Sequence, residues 1–221
     1  MIKGIIFDFN GTLFWDSKLH DKAWNNFAHK ISGKDLTAED LLMHVHGKIN
    51  KDILTFVLER EINYEEAQKL SEEKEELYRN MLKSNNEKYE LAFGAVNLFE
   101  HLKEIEIPFT IATSSEKSNV DFYFDYFKLS KWFKYDKVVF ENGKMNPKPA
   151  PDIFLIASEK IRVDIANCMI LEDSFSGIQA ARNAGAKKVI FVENDVPVSF
   201  DKVKDLVDGK VRNLQDVIAY I

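Results

Sequence analysis

The spacing of apolar residues changes along the chain and separates two kinds of segment. Residues 4–9 form a short apolar run that ends at Asn10-Gly11-Thr12, which predicts a buried strand followed by a turn. From about residue 16 to residue 83, apolar residues instead recur three or four positions apart, which predicts helices. Thr37 followed by Asp40 is typical of a helix N-terminus within this stretch.

After about residue 87 the pattern becomes an alternation of strands and helices. The predicted strands span residues 109–112, 137–140, 168–171 and 188–192, and the predicted helices span residues 95–104, 116–127, 152–160 and 175–184. Such alternation favours a parallel sheet with helices on both faces, and the first strand must join that sheet. We therefore expect an α/β core of residues 1–15 and 85–221, interrupted by an all-helical cap domain of residues 16–84.

Composition limits the classes of function. Of the 221 residues, 45% are hydrophobic and the net charge is −6, so a sizeable core is expected and no dense basic cluster suggests a nucleic-acid partner. Cys168 is the single cysteine and lies in an apolar run, so we expect a buried thiol and no internal disulfide. No apolar stretch is long enough for a membrane span and no signal peptide is recognised. We expect a cytoplasmic monomer.

Polar residues follow four of the predicted strands at the point where each strand ends. They are Asp8, Asn10, Gly11 and Thr12 after the first strand, Thr113, Ser114 and Ser115 after the second, Lys148 in the loop after the third, and Glu172 and Asp173 after the fourth. In a doubly wound sheet, ligands bind beyond the carboxyl ends of the strands. Carboxylates, hydroxyls and one ammonium group are therefore expected to converge on one edge.

This set of groups fits phosphoryl transfer. A carboxylate such as Asp8 can act as a nucleophile and form an acyl phosphate, which divides one difficult step into two. The transition state spreads negative charge over three oxygens, and Lys148 and the hydroxyl and backbone N–H of Thr113 can offset it. Gly11 lets the chain turn sharply and approach a phosphate.

The carboxylates also fit a magnesium site. Mg²⁺ prefers oxygen ligands and is commonly held by one or two carboxylates together with water. Asp8 and Asp173 suit this role, with Glu172 in reserve. Taken alone, each group also has an ordinary interpretation: Asp8 as a turn former, residues 113–115 and 172–174 as helix caps, and Lys148 as part of a solvated loop. The ordered occurrence of all four groups carries the functional interpretation.

The same segments resemble a known family. Phe7-Asp8-Phe9-Asn10-Gly11-Thr12-Leu13, Ile111-Ala112-Thr113-Ser114-Ser115, Lys148-Pro149-Ala150-Pro151-Asp152-Ile153-Phe154 and Leu171-Glu172-Asp173-Ser174-Phe175-Ser176-Gly177 are similar to the haloacid dehalogenase-like superfamily. The resemblance is to the branch with a helical cap after the first motif, and within it to β-phosphoglucomutase-like proteins. It covers essentially the whole chain and is weakest in the cap and in the last thirty or so residues.

The resemblance implies a Rossmann-like core and an aspartyl-phosphate mechanism. Asp8 would be the nucleophile, and Mg²⁺ would be held by Asp8, the backbone carbonyl of Asn10 and Asp173. Thr113 and Lys148 would hold the phosphoryl group, and Lys148 would also offset the charge of Asp8.

Asn10 departs from the family pattern. Phosphatases and mutases of this family have an aspartate there, which protonates the leaving group and then activates water, whereas a carboxamide exchanges no proton near neutral pH. Such acid–base help is worth about 10²–10⁴-fold. Four interpretations remain: substrates with good leaving groups such as acyl phosphates, a substitute group such as His20, an engineered position, or a weak enzyme with a binding role.

The expected cap carries the substrate-reading candidates. His20 and Trp24 resemble positions of the mutase, although packing in a core or an interface also accounts for each of them. Lys48 and Lys51 lie in a segment, residues 47–52, that resembles the mutase's cap loop. The mutase's arginine in that loop is Asn50 here, and Lys117 lies where the mutase has a Lys–Asn pair. These changes weaken the mutase assignment.

The sequence predicts a magnesium-dependent hydrolase of a small phosphate monoester with Asp8 as the nucleophile. The residues expected to contact the substrate are Gly11, Ser114, Ser115, His20, Lys48, Lys51 and Lys117. A sugar-phosphate mutase is the first alternative. A phosphonatase-like hydrolase using Lys48 as a Schiff base, and a weakly active phosphate-binding protein, are the others. A small phosphorylated metabolite is the expected partner in each case.

Overall fold

The structure is a computed structural model of the chain. It describes residues 1–46, 48–84, 89–195 and 200–221. The chain divides into two compact units: Met1–Trp15 with Glu90–Ile221, called here the sheet unit, and Asp16–Tyr89, called here the helical unit. The backbone of Ala92 donates a hydrogen bond to the carbonyl of Leu13 at 2.8 Å, so the chain re-enters the sheet unit beside the point where it leaves.

One parallel sheet organises the sheet unit. Its strands are β1 (Gly4–Phe7), β2 (Phe109–Glu116), β3 (Val139–Glu141), β4 (Cys168–Glu172), β5 (Lys188–Val192) and β6 (Gly209–Val211). Their spatial order is β3-β2-β1-β4-β5-β6, with parallel pairing throughout. The chain first adds strands to one side of β1 and then to the other, so the order reverses at β1 and β4. That reversal creates a crevice at the carboxyl ends of these two strands, where ligands bind in such sheets.

Helices cover both faces of this sheet. They are α5 (Ala95–Glu104), α6 (Lys117–Tyr126), α7 (Asp152–Ile161) and α8 (Phe175–Asn183). Successive strand residues face opposite sides, and β1 shows this: Ile6 packs in a cluster with Phe154 of α7 and Ile178 of α8, whereas Phe7 contacts Phe99 of α5 with ring centroids 5.5 Å apart. Burial on both faces explains why the strands are almost continuously apolar. The predicted α/β class with a Rossmann-like sheet is confirmed.

The helical unit contains α1 (Ser17–Ser32), α2 (Ala38–Asp40), α3 (Asn50–Leu58) and α4 (Tyr64–Ser84), with α2 continuing as a π-helical turn over Leu41–Val45. Thr37 and Asp40 form a capping box, in which each side chain bonds the other residue's backbone N–H. Trp24 is buried in this unit's apolar core, beside Phe27 and Leu54, which agrees with the packing interpretation of that residue.

Several element boundaries differ from the predictions. The strand expected over residues 4–9 ends at Phe7, and the one expected over residues 137–140 begins at Val139 and ends at Glu141. The strand expected to end at residue 112 continues to Glu116, because an irregularity in its pairing with β3 lets Thr113–Glu116 remain in the sheet. The sequence analysis missed β6, whose three residues include a glycine and a lysine and lack an apolar run. None of the helices in the described ranges is long and apolar enough to cross a membrane.

Candidate active site

The loop after β1 places Asp8 at the switch point of the sheet. Asp8 is 6% exposed, and its backbone N–H donates to the carbonyl of Leu171 in β4 at 3.0 Å. Gly11 has a φ of 81°, and a Cβ atom at this position would lie 2.1 Å from Oδ2 of Asp173. Only glycine fits both the left-handed backbone and this close approach, so the predicted role of Gly11 in a sharp turn has a steric basis.

Lys148 joins two carboxylates. Its Nζ donates to Oδ1 of Asp8 at 2.7 Å and to Oε1 of Glu172 at 2.6 Å, and its side chain is 7% exposed. Burial lowers the pKa of Lys148, but the charges of Asp8 and Glu172 outweigh burial and hold that pKa above its ordinary value. Lys148 is therefore a permanently charged ammonium group beside Asp8.

Glu172 is held in place by its own backbone neighbourhood. Its Oε2 accepts hydrogen bonds from the backbone N–H groups of Asp173 and Ser174, both at 2.8 Å, and from the hydroxyl of Ser174. Gly177 in α8 leaves the room, since a Cβ there would lie 1.7 Å from Oε1 of Glu172. Ser174 also caps α8 by accepting from the N–H of Gly177, as its helix-cap interpretation predicts. Both oxygens of Glu172 are thus committed, one to Lys148 and the other to this loop.

Asp8, Glu172 and Asp173 form a carboxylate cluster whose ligand oxygens lie within 4.8 Å of one another. Burial and the charges of Glu172 and Asp8 raise the pKa of Asp173 well above 3.8, against the opposing effects of Lys148 and of a hydrogen bond from Asn194. Two buried carboxylates, Asp8 and Glu172, and the partly buried Asp173 thus face one ammonium group. This all-oxygen donor set with excess negative charge suits a hard divalent cation such as Mg²⁺.

Asn10 is fixed by two hydroxyl groups. Its Nδ2 donates to the hydroxyl of Tyr123 at 2.9 Å, and its Oδ1 accepts from the hydroxyl of Ser115 at 2.6 Å. Tyr123 is itself buried and stacks on Phe9 with ring centroids 4.4 Å apart. The Asn10 amide thus contacts a hydroxyl at each end, one from α6 and the other from the end of β2.

The hydroxyl motif 113–115 occupies the end of β2 and not the loop after it. Thr113 is 2% exposed, and its Oγ1 accepts from the backbone N–H of Ser115 at 3.1 Å. Ser114 is exposed to solvent. Lys117 begins α6 and is also exposed, with its ammonium group donating to Asp121 one turn along the helix. Its side chain makes no hydrogen bond or ion pair with the carboxylate cluster among the described residues.

The cap candidates belong to the helical unit. His20 stacks on Tyr78 with ring centroids 3.9 Å apart, and its two ring nitrogens lie 3.3 Å from Asp16 and 3.2 Å from Nζ of Lys74. Lys48 and Lys51 are exposed. Gly47, which belongs to the same expected substrate-reading segment, lies outside the described residues.

Two residues at the candidate site were missed by the sequence analysis. Tyr123 on α6 contacts Asn10, and its place in an aromatic stretch gives no chemical signal. Asn194 follows β5, is 8% exposed, and donates to Asp173 and to the carbonyl of Gly11. The rule of examining polar residues just beyond each strand finds Asn194 when it is extended from β4 to β5.

Comparison with known proteins agrees with the geometry. A phosphatase of phosphorylated carbohydrates from Thermotoga maritima is 30% identical over 95% of this chain and 89% of its own. The β-phosphoglucomutase of Bacillus subtilis is 28% identical over 83% of this chain and 80% of its own. The crystal structure of a haloacid dehalogenase hydrolase of family IA, variant 3, from Entamoeba histolytica superposes with a TM-score of 0.89 and 38% identity, covering 97% of this chain and 95% of that one.

A family model matches most of the chain. Residues 2–185 match the model of haloacid dehalogenase-like hydrolases, a span that holds the loops after β1, β2, β3 and β4. The Asp8 loop, the end of β2, the Lys148 loop and the Glu172-Asp173 pair meet at one edge of the sheet in the order that the resemblance implies. The chain is a member of the haloacid dehalogenase-like hydrolase family.

Proposed function

We propose that this protein is a phosphatase of a small phosphorylated carbohydrate, and that it works through a phosphorylated Asp8 with the help of Mg²⁺. The observation that carries the proposal is the buried ammonium group of Lys148, shared at 2.7 and 2.6 Å between Asp8 and Glu172. A phosphatase of phosphorylated carbohydrates among the relatives supports the substrate class.

The first chemical step is attack by the Asp8 carboxylate on phosphorus. A bond forms between an Asp8 oxygen and phosphorus, the ester bond to the sugar oxygen breaks, and the sugar leaves as an alkoxide that takes a proton from solvent or from a nearby acid. In the second step, water attacks the acyl phosphate, releasing inorganic phosphate and regenerating the carboxylate. Lys148 and Thr113 hold the transferring phosphoryl group and offset its charge in both steps.

The carboxylate cluster would hold the metal. Asp8, Asp173 and the backbone carbonyl of Asn10 are the proposed ligands, and Mg²⁺ bound there would neutralise negative charge on the phosphoryl oxygens. Glu172 is in reserve as a ligand, but its oxygens accept from Lys148 and from the backbone of residues 173 and 174. Its proposed main role is therefore to fix Lys148 and the loop that carries Asp173.

Asn10 limits the rate of the proposed reaction. Its side chain is tied to Tyr123 and Ser115, and an amide supplies no proton to the leaving alkoxide and removes none from the attacking water. Both steps are therefore slow for poor leaving groups. We propose that the preferred substrates leave readily, or that another group such as His20 supplies the proton.

The helical unit is proposed to act as a cap that selects the substrate. Lys48 and Lys51 are exposed cations suited to an anionic substrate. Asn50 stands where the mutase has an arginine, and its amide donates to Glu75 at 3.0 Å. A mutase must hold a second phosphate, so this committed amide favours a phosphatase over the mutase suggested by the Bacillus subtilis relative.

The test is release of inorganic phosphate from a panel of sugar phosphates and acyl phosphates. Turnover should require Mg²⁺, stop with EDTA, and disappear in Asp8→Asn, whereas Asp205→Asn, an exposed acid-to-amide change in the same unit, should retain it. Intact mass should show one added phosphate on the wild-type protein and none on Asp8→Asn. Turnover that survives Asp8→Asn would refute the proposed nucleophile, and conversion of a sugar phosphate to its isomer without phosphate release would favour the mutase.

A further inference from the structure

Asn194 connects two loops of the candidate site. It lies two residues beyond the end of β5, the strand that pairs with β4, and it is 8% exposed. Its Nδ2 donates to the backbone carbonyl of Gly11 and to Oδ2 of Asp173, both at 2.8 Å. The nucleophile loop and the Asp173 loop, which are far apart in sequence, thus share one side chain as a common donor.

The chemistry of these contacts fixes the orientation of the amide. A carbonyl and a carboxylate offer only acceptors, so the NH₂ group of Asn194 must face them, and its two hydrogens match the two acceptors. The opposite orientation would set the amide oxygen against two other oxygens. An aspartate, serine or leucine at this position could not make both bonds.

Asp173 is held from both sides as a result. Its Oδ2 accepts from Asn194, and its Oδ1 accepts from the hydroxyl of Thr12 at 3.3 Å. Gly11 lies directly against the same carboxylate, since a Cβ there would be 2.1 Å from Oδ2. The Asp173 side chain therefore has a defined direction toward Asp8 and Glu172, with which it forms the carboxylate cluster.

We propose that Asn194 is a positioning residue for the metal site: it fixes the Asp173 carboxylate and the Gly11 carbonyl so that the cluster binds a divalent cation without reorganising. The inference rests on the proposed magnesium site, and it adds a residue that the loops after the first four strands do not contain. Groups that orient metal ligands by hydrogen bonds change metal affinity by about 10–100-fold when they are removed.

The test is calorimetric titration of Mg²⁺ into the whole protein, wild type against Asn194→Ala and Asn194→Ser. Asn97→Ala is the matched control, because Asn97 is an exposed amide of the same unit whose side chain bonds Gln215. We expect the Mg²⁺ dissociation constant to rise about 10–100-fold in Asn194→Ala and by less in Asn194→Ser, which keeps one donor, with no change in the control. At saturating Mg²⁺, kcat should return to within a few-fold of the wild-type value.

Two outcomes separate the possible failures. If wild-type protein binds no Mg²⁺, the proposed magnesium site itself is wrong, and this inference is wrong with it. If wild-type protein binds Mg²⁺ and both variants bind it equally well, Asn194 is a structural tether only, and the positioning role is overturned. Chemical unfolding in EDTA gives the independent measure, because a tether without a positioning role lowers the free energy of unfolding and leaves the dissociation constant unchanged.

Discussion

Each unit of this protein buries a lysine, and the two lysines have different surroundings. In the sheet unit, the side chain of Lys148 is 7% exposed and bonds Asp8 and Glu172. In the helical unit, Lys74 is 1% exposed, bonds Glu75 at 2.6 Å, and lies 4.6 Å from the centroid of the Trp24 ring. Both ammonium groups are paired, as buried charges must be.

The difference lies in the charge that remains around each pair. Around Lys74 there are two carboxylates, Glu75 and Asp16, and the His20 ring lies beside both Lys74 and Asp16. Around Lys148 there are three carboxylates, so the excess of acidic groups over ammonium groups is larger, and burial together with the charges of Glu172 and Asp8 raises the pKa of Asp173. The larger excess of carboxylates makes the cluster around Lys148 the better candidate for a cation site.

The largest expected effect comes from placing an acid–base group at position 10, beside the carboxylate cluster of the sheet unit. Asn10→Asp should raise kcat for alkyl phosphate esters by about 10²–10⁴-fold, because an aspartate can protonate the leaving group and activate water. The hydroxyls of Tyr123 and Ser115 can both donate to a carboxylate, so the variant should keep its local geometry. Steady-state phosphate release measures the effect.

For acyl phosphates, whose leaving group needs no acid, any gain from Asn10→Asp should appear only in hydrolysis of the phosphorylated intermediate. Pre-steady-state quenching with intact mass detection separates the two steps. A flat response of the variant across a wide panel of phosphate esters would contradict the acid–base interpretation and favour another proton donor or a binding role.

The two lysines offer a matched pair of substitutions. Lys148→Met and Lys74→Met each remove an ammonium group that the structure shows beside a buried carboxylate, and each should lower the free energy of unfolding by about 3–5 kcal/mol in EDTA. Mg²⁺ should restore part of the loss in Lys148→Met, because a cation can replace the missing charge there, and none of it in Lys74→Met. Urea unfolding with and without Mg²⁺ measures both, and an equal response of the two variants to Mg²⁺ would end the distinction between the two clusters.

A smaller effect should come from the metal acting on the wild-type protein. At a concentration about one hundred times its dissociation constant, Mg²⁺ should raise the free energy of unfolding by about 2.7 kcal/mol. Asp173→Asn removes a proposed ligand and should abolish the gain, whereas Glu75→Gln in the helical unit should keep it. Stabilisation that persists in Asp173→Asn would place the binding site elsewhere.

The smallest effect concerns the exposed capping box of the helical unit. Thr37→Ala should cost about 1 kcal/mol of stability, since it leaves an N–H group at the start of α2 unpaired. Hydrogen bonds from the side chain and backbone of Thr37 lower the pKa of Asp40 below 3.8. The contribution of the ionised box is therefore fully present above about pH 4 and is lost as pH falls through the lowered pKa. Thermal unfolding at pH 7 and pH 3 should show a smaller difference between wild type and Thr37→Ala at the lower pH.

The sequence analysis predicted best the strands whose residues are mostly apolar because both faces of the sheet are buried. The parallel strands are buried on both faces, so their apolar runs are unbroken and β5 was predicted with its observed bounds. The strand β6 was missed because Lys210 and Gly209 interrupt the pattern, and the end of β2 was placed too early because hydroxyl residues continue the strand past a pairing irregularity.

At the candidate site, the loops after strands were predictable and the supporting contacts were not. The Asp8–Lys148 pair follows from placing polar residues at the carboxyl ends of neighbouring strands. The bonds of Asn194 to Asp173 and of Tyr123 to Asn10 depend on side-chain directions from β5 and α6, which no spacing rule encodes. The expected domain boundary at residue 85 and the observed return of the chain at Glu90 enclose residues 85–88, which lie outside the described part of the chain.

The hydrogen bond between Leu13 and Ala92 bears on how the helical unit can change during evolution. The chain leaves the sheet unit after Trp15 and re-enters it at Glu90, and these two crossings lie side by side. An insertion attached in this way can be lengthened, shortened or exchanged without moving β1 or changing the register of its neighbours. A lineage that keeps these adjacent crossings can change the helical unit while it inherits an unaltered Asp8 loop in the sheet unit.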